Sequence, residues 1–361
     1  MTTVLDDSVL EDQQRLFELD TRGLLRTAAL AGAQVRSAAS SAEEAGLDDL
    51  AGYKPRALVL LSTAGAGPAA CGLLAAELGP SCQVPVVVTE AMPSWIGPLD
   101  VVFAHAADGG DTVLAESLEL ATRRGATVVL AAPDEGPVAA AAAGRAKLIS
   151  PRIPVPEPLG LAHVFTAGLR VLTALGLLTA DTDALADALD EQAERSHPGR
   201  EISENPAKTL ALRLADRVPL LWGVDEVATA VARHGAFVLG CYAGMPCDVT
   251  SYRQAVNREA LYGAAAAVGG EADLFADPEE AGSGLRVVLL STREDERGGL
   301  AERAAVAGLP GADVLAPTES QEGGGVRSSL SLAVGFDMAA VYIGLASDSL
   351  NGHGRPTPVA R

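Results

Sequence analysis

Residues Ser62-Thr63-Ala64-Gly65-Ala66-Gly67 follow an unbroken apolar run, 58–61, and lead into an alanine- and leucine-rich segment of helical period ending near Leu78. A strand, a tight glycine turn and a helix in that order aim free backbone N–H groups and the positive end of the helix dipole at whatever lies over the turn. That is a seat for a phosphate. The same pattern also serves as a plain strand–helix connection in any α/β domain. Dinucleotide chemistry is disfavoured, because no G-x-G-x-x-G is present and Cys71 stands near where its last glycine would fall. A phosphate cradle usually carries hydroxyls as well, and Ala66 and Gly67 bring none.

Few other residues advertise chemistry. His105 ends a strand beside a second loop, within reach of a cleft, but a polar residue at a strand terminus is commonplace and is read as such. His163 lies on an apolar helix and reads as a satisfied core histidine. Arg233 and His234 read as a solvated helix face or a dimer contact. Tyr252, Arg253 and Arg258 form a more interesting set, able to bind an anion or to make interface hydrogen bonds. Cys71, Cys82, Cys241 and Cys247 show no C-x-x-C spacing and no nearby histidine pair, so they read as reduced core thiols. No D-x-D-x-D-G loop or His/Cys cluster signals a metal, and no cofactor is implied.

The elements that must position these residues repeat one grammar. Strands are expected at 58–61, 84–89, 101–106, 126–132 and 146–150, with helices between most of them, notably 112–124 and 136–145. The proline cluster Pro151, Pro154, Pro156 and Pro158 closes this module, and a long apolar helix, 159–178, follows. An acidic connecting helix, 181–194, and a helix start at Ser203-Glu204-Asn205-Pro206 introduce a second run. Its strands are expected at 218–222, 245–249, 286–291 and 313–316, and its helices at 226–239, 252–268, 298–308 and 326–350. Strands alternating with helices mean parallel sheets with right-handed crossovers. Exposed loops are expected at 276–284 and 319–325.

Composition bounds the function. The chain has 361 residues, enough for two domains with proper cores. Its formal charge of −20, from 27 basic and 47 acidic residues, argues against a nucleic-acid surface or an anionic membrane as partner. It is also an awkward background for a sugar phosphate unless a few arginines are focused on the site. No apolar run reaches the roughly 18 residues that span a bilayer, and the acidic N-terminus has no signal-peptide profile, so a soluble, cytoplasmic protein is expected.

Taken together, several segments resemble the bifunctional phosphoglucose/phosphomannose isomerases, a two-module branch of the sugar isomerase (SIS) family. The Ala64-Gly65-Ala66-Gly67 turn sits where that family has a glycine–glycine–serine turn, and Asp108-Gly109-Gly110-Asp111-Thr112 where it has Ser-Tyr-Ser-Gly-Asn-Thr. Glu204-Asn205-Pro206-Ala207-Lys208 and Arg217 to Gly223 resemble its interdomain helix and the next strand. Ser328 to Leu345 and Gly354-Arg355-Pro356-Thr357-Pro358-Val359 resemble its last helix and tail. The resemblance runs from about Asp20 onward. It implies an α/β fold of two tandem SIS-type modules, each a parallel sheet flanked by helices, divided as arm 1–19, first module 20–180, connection 181–203, second module 204–350 and tail 351–361. It also implies a homodimer that takes a small sugar or sugar-phosphate ligand, in which the segment around Tyr252–Arg258 reaches the partner's site.

The family interconverts aldose and ketose 6-phosphates through an enediol. A carboxylate moves the proton, a histidine helps open the ring, and hydroxyls and backbone amides hold the phosphate. Carried onto this chain, the carboxylate falls on Cys241 and the histidine on Asn257. A thiol of ordinary pKa is mostly protonated at neutral pH and is a poor substitute for the base. Gly65, Ala66 and Gly67 match the phosphate turn, with the family's serine on Gly67. Asp108, Gly109 and Thr112 match the second loop, and there only Thr112 keeps its hydroxyl. The family's arginine falls near Glu157, its lysine beyond Arg361, and Arg258 flanks the lost histidine. Carboxylates at 108 and 157 would repel a phosphate by about 1–4 kcal/mol each at intermediate dielectric. The resemblance so altered implies a degenerate isomerase that binds a carbohydrate derivative or plays a regulatory role, with an active hexose 6-phosphate isomerase as the alternative.

Overall fold

The computed structural model describes residues 5–268, 284–292, 296–317 and 325–350. The expected loop 276–284, all but its last residue, the expected loop 319–325, again all but its last, and the tail 351–361 lie outside these.

Continuous apolar runs rich in Val and Leu have nowhere to sit but the middle of a sheet covered on both faces, and the chain supplies them in two sets. In the first set, β1 (Leu58–Ser62), β2 (Val86–Thr89), β3 (Val101–His105), β4 (Thr127–Ala131) and β5 (Ala146–Ile149) form a wholly parallel sheet of order β2-β1-β3-β4-β5. Every residue of β1 and β3 is buried. One face packs Val59, Leu61, Val102 and Leu130 against Leu114 and Leu118 of the helix Thr112–Arg123. On the other face lies the helix Leu161–Ala174, buried nearly all round. Gly168 lets that helix pack closely: a Cβ there would fall 2.2 Å from Leu74 Cδ1, and the leucine would have to move.

The second set, β6 (Val218–Gly223), β7 (Asp248–Ser251), β8 (Leu285–Leu290) and β9 (Asp313–Leu315), forms another wholly parallel sheet, ordered β7-β6-β8-β9. Its first four places repeat the β2-β1-β3-β4 order of the first sheet, as expected of a duplicated fold. In both sheets the chain leaves the first strand for one neighbour and returns to the other side. That reversal opens a crevice beyond the carboxyl ends of β1 and β3, and likewise of β6 and β8, and ligands of open parallel sheets bind in such crevices.

Besides shifts of a few residues at element ends, three differences from the expected elements stand out. β7 begins at Asp248 rather than 245, since Pro246 has no N–H to give a ladder. The expected helix 252–268 is two, Tyr252–Val256 and Glu259–Ala267, broken at Asn257-Arg258. Asn257 Nδ2 donates to the Arg253 carbonyl at 3.0 Å, ending the first helix, and Arg258 is drawn aside into an ion pair. The helix Val326–Ala346 is 21 residues long, with a stretch of mean hydropathy 1.6, so it passes the length and composition test for a membrane span that no run was expected to pass; 89% of that stretch is buried in the protein.

The chain divides into two compact units. One comprises Leu30–Glu191 and Pro317–Val334 and holds the first sheet. The other comprises the residues up to Ala29, Gln192–Ala316 and those from Gly335 onward, and holds the second. The acidic N-terminal stretch forms helices Asp7–Glu11 and Gln13–Leu19, capped by Asp6 and Asp12; they bury Val9, Leu10 and Leu16 and group with the second sheet. In the first unit, the Ser329 hydroxyl donates to Glu77 on the helix that follows the glycine turn.

Candidate functional site

The first crevice is built around Gly65, Ala66 and Gly67. Gly65 takes φ +72°, a left-handed turn that glycine allows cheaply, and Gly67 starts the helix Gly67–Leu78. Helix starts leave backbone N–H groups unpaired by the helix itself. Here a residue from elsewhere in the chain takes one of them. Glu157, on a short 3-10 turn Glu157–Leu159 in the proline-rich stretch, accepts the Ala66 N–H on Oε1 at 2.7 Å. Its carboxylate lies so close that a Cβ at Gly65 would fall 2.0 Å from it. Pro68, in the first turn, has no N–H to offer. The chain's own carboxylate thus takes a backbone N–H of the turn.

The turn also explains why position 67 has no serine. Beneath it, Ser62 Oγ at the end of β1 and His105 Nδ1 at the end of β3 lie 3.3 Å apart, both side chains buried. A Cβ at Gly67 would fall 1.9 Å from Ser62 Oγ and 2.3 Å from His105 Nδ1. No side chain fits there while both are present.

The second loop joins this turn through Thr63, whose hydroxyl donates to Asp111 Oδ2 at 2.7 Å. Asp111 also caps the helix Thr112–Arg123 by accepting the Leu114 N–H. Asp108 is exposed and folds back to accept the Gly110 N–H at 2.8 Å. Gly109 is a packing residue: a Cβ would fall 2.4 Å from the Glu135 carbonyl, and its own carbonyl accepts the Val138 N–H. Thr112 is the first residue of its helix and is exposed. Of the residues matched to the family, Gly65, Ala66, Gly67 and Glu157 come together, and Asp108, Gly109 and Thr112 serve the neighbouring loop.

Beside Glu157 a pocket of about 170 Å³ opens, bordered by His105, His163, Gln34 and Ser37. Both histidines are held neutral. Burial, together with the field of His163, pushes His105 down to about 3, and burial pushes His163 down to about 4 against a backbone hydrogen bond with Ile149. Gln34 donates to the Leu159 carbonyl and accepts the His163 N–H, fixing the start of that helix. His163 is thus not a satisfied core histidine: its Nε2 has no hydrogen-bond partner among the described residues. The apolar helix around it hid this, because a helical pattern does not tell which atoms of a buried polar residue are paired.

In the second unit, Cys241 is exposed on a π turn, Leu239–Ala243, that prolongs the helix Glu226–Val238. Asn257 is exposed and bonded to Arg253. Arg258 holds Asp248 with two bonds, 2.9 and 2.7 Å, and Asp248 also accepts Trp222 Nε1–H at 2.9 Å. Burial raises the Asp248 pKa, but the Arg258 guanidinium and the indole N–H outweigh it and leave the carboxyl below its usual range. Arg258 is therefore part of an internal ion pair. His234, expected on a solvated face or at a dimer contact, is buried and bonds Asp337 at 2.7 Å; Arg233 beside it is exposed.

Residues 203–349 match the bacterial phospho-glucose isomerase C-terminal SIS domain. No curated protein sequence matches the chain. Among solved structures, it is similar to a hypothetical protein from Thermus thermophilus, with TM-score 0.64, 14% identity, and 92% of this chain and 89% of that one covered. It is similar to tagatose-6-phosphate ketose/aldose isomerase from Escherichia coli, with TM-score 0.62, 12% identity, and 91% and 93% covered. It is also similar to the C-terminal domain of glucosamine-fructose-6-phosphate aminotransferase from Francisella tularensis, with TM-score 0.57, 9% identity, and 93% and 96% covered. At these identities the structures speak for the fold, and the sequence match speaks for the branch. Residues 203–349 thus form a SIS domain of the phosphoglucose isomerase-like branch, and over the rest of the chain the likeness is one of fold.

Proposed function

We propose that this protein has given up isomerisation of hexose 6-phosphates and acts as a carbohydrate-derivative-binding or regulatory homodimer of the cytoplasm. The observation that carries this reading is the Glu157 carboxylate on the Ala66 N–H, where the family turn would receive a phosphate. An incoming phosphate must displace a tethered carboxylate and then meet its charge. The chemistry is weakened in parallel, since Cys241 and Asn257 stand at the positions of the base and the ring-opening histidine, and loss of a general base alone removes roughly 10²- to 10⁴-fold of rate. The homodimer rests on the family resemblance and on the alanine-rich stretch 264–267, which permits close helix approach.

The test is a coupled assay for conversion of glucose 6-phosphate and mannose 6-phosphate to fructose 6-phosphate, with calorimetry of fructose 6-phosphate binding beside it. Negligible turnover is expected, and Glu157→Ala should tighten fructose 6-phosphate binding at least about tenfold, about 1.4 kcal/mol. Robust turnover abolished by Cys241→Ala would make Cys241 the catalyst and the protein an active isomerase. Tight binding by the native chain, unchanged in Glu157→Ala, would equally overturn the reading.

A further inference from the structure

The pocket beside Glu157 has the features of a site in its own right. Two of the polar atoms on its lining residues, the buried His163 Nε2 and the buried Ser37 Oγ, have no hydrogen-bond partner among the described residues. Buried polar atoms are ordinarily paired, so two orphans bordering one pocket call for a ligand or water that pairs them. The His163 side chain is 7% exposed, and its backbone is pinned by Gln34, so the ring is held in place. In the neutral ring Nε2 can serve as an acceptor. Ser37 can donate or accept. Ile153 and Val155 give the pocket an apolar wall.

We infer that this pocket binds a small uncharged polyol, a three- or four-carbon chain or the unphosphorylated end of a longer sugar, through His163 Nε2 and Ser37 Oγ. The inference rests on the reading above and deepens it, taking Glu157 as the reason that charged sugars are refused. Hydroxyl groups donate to the imidazole and exchange bonds with the serine, while the C–H faces of a polyol lie on the apolar wall. A volume near 170 Å³ suits roughly six to eight non-hydrogen atoms, since a cavity of about 150 Å³ holds benzene. Both imidazoles are neutral at physiological pH, so among the described residues no cation borders the pocket to attract a phosphate or carboxylate, and Glu157 opposes one.

The experiment uses the full chain with its five histidines labelled with ¹⁵N. Erythritol, glycerol 3-phosphate and ethanolamine are titrated in turn, and the His163 signal is assigned through its loss in His163→Phe. Erythritol should shift the His163 Nε2 resonance saturably, with a Kd on the order of millimolar. Ser37→Ala, a mild change that keeps the fold, should weaken that binding about three- to tenfold, as loss of one neutral hydrogen bond does. Glycerol 3-phosphate should leave the signal unmoved. No saturable shift with erythritol, a shift indifferent to Ser37→Ala, or tighter binding of glycerol 3-phosphate or ethanolamine would each overturn the assignment. The Glu157→Ala calorimetry reads the other proposal separately: a gain of phosphosugar binding without any erythritol response would sink this inference and leave that one standing.

Discussion

A serine at position 67 would look like the simplest way to give back the phosphate turn, yet Ser62 and His105 already occupy the space its Cβ needs. Gly67→Ser should therefore destabilise the protein by about 1–3 kcal/mol, as overpacking does, read as a fall in the urea midpoint. Ser62→Ala in the same chain should recover part of that loss. An equal effect with and without Ser62 would show that the crowding lies elsewhere. The two neutral histidines give a second residue-scale prediction. Their folded pKa values lie near 3 and 4, below the ordinary 6.5. Between those limits the unfolded chain takes up protons that the folded chain refuses, so stability should fall as pH drops from about 6.5 towards 4, by on the order of 1 kcal/mol per pH unit for each histidine. Denaturant midpoints from pH 7 to 4.5 check it, and His163→Phe should flatten the slope. Sequence showed the glycines and the glutamate by type and place. It did not show that Glu157 would come to rest on Ala66, 91 residues earlier in the chain, because that contact depends on how the proline-rich stretch returns across the end of the sheet.

Strands were the most legible elements, since runs such as those of β1 and β3 are buried along their whole length and leave no alternative to a covered sheet. The break at Asn257-Arg258 was not legible. It depends on a side chain turning back to a carbonyl and on Arg258 finding Asp248, and periodicity reports neither. The helix Pro206–Leu214 illustrates the opposite case. Asn205 caps it by accepting the Ala207 and Lys208 N–H groups, as its Asn-Pro start promised. Lys208 itself is buried, donating from Nζ to the Pro198 and Arg200 carbonyls at 2.7 and 2.9 Å and lying 5.7 Å from the Tyr342 ring. Lys208→Ala should cost about 2–4 kcal/mol, combining a cavity with two carbonyls left unpaired. Thermal or urea unfolding gives the value, and a loss under about 0.5 kcal/mol, the scale of an ordinary surface substitution, would show that water takes over the ammonium's role.

At the scale of the whole molecule, a charge of −20 opposes the association of like chains. If the homodimer forms, its Kd should fall as salt rises from about 20 to 200 mM, over which range the Debye length shrinks from roughly 20 to 7 Å. Light scattering at micromolar concentration reads this directly, and a monomer at every salt concentration would end the dimer proposal. The two compact units interleave along the chain, and this has a further consequence in the order of synthesis. The residues up to Ala29 leave the ribosome first, but the unit they join is not complete until the chain beyond Gly335 has followed. Leu30–Glu191 likewise waits for Pro317–Val334 while the intervening stretch Gln192–Ala316 is made. At roughly 5–20 residues per second that pause is about 6–25 s. During it the unit that holds the first sheet lacks its last segment, and the helices at the N-terminus lack the rest of their own unit. A chaperone that engages this chain during translation would find its opening in that interval.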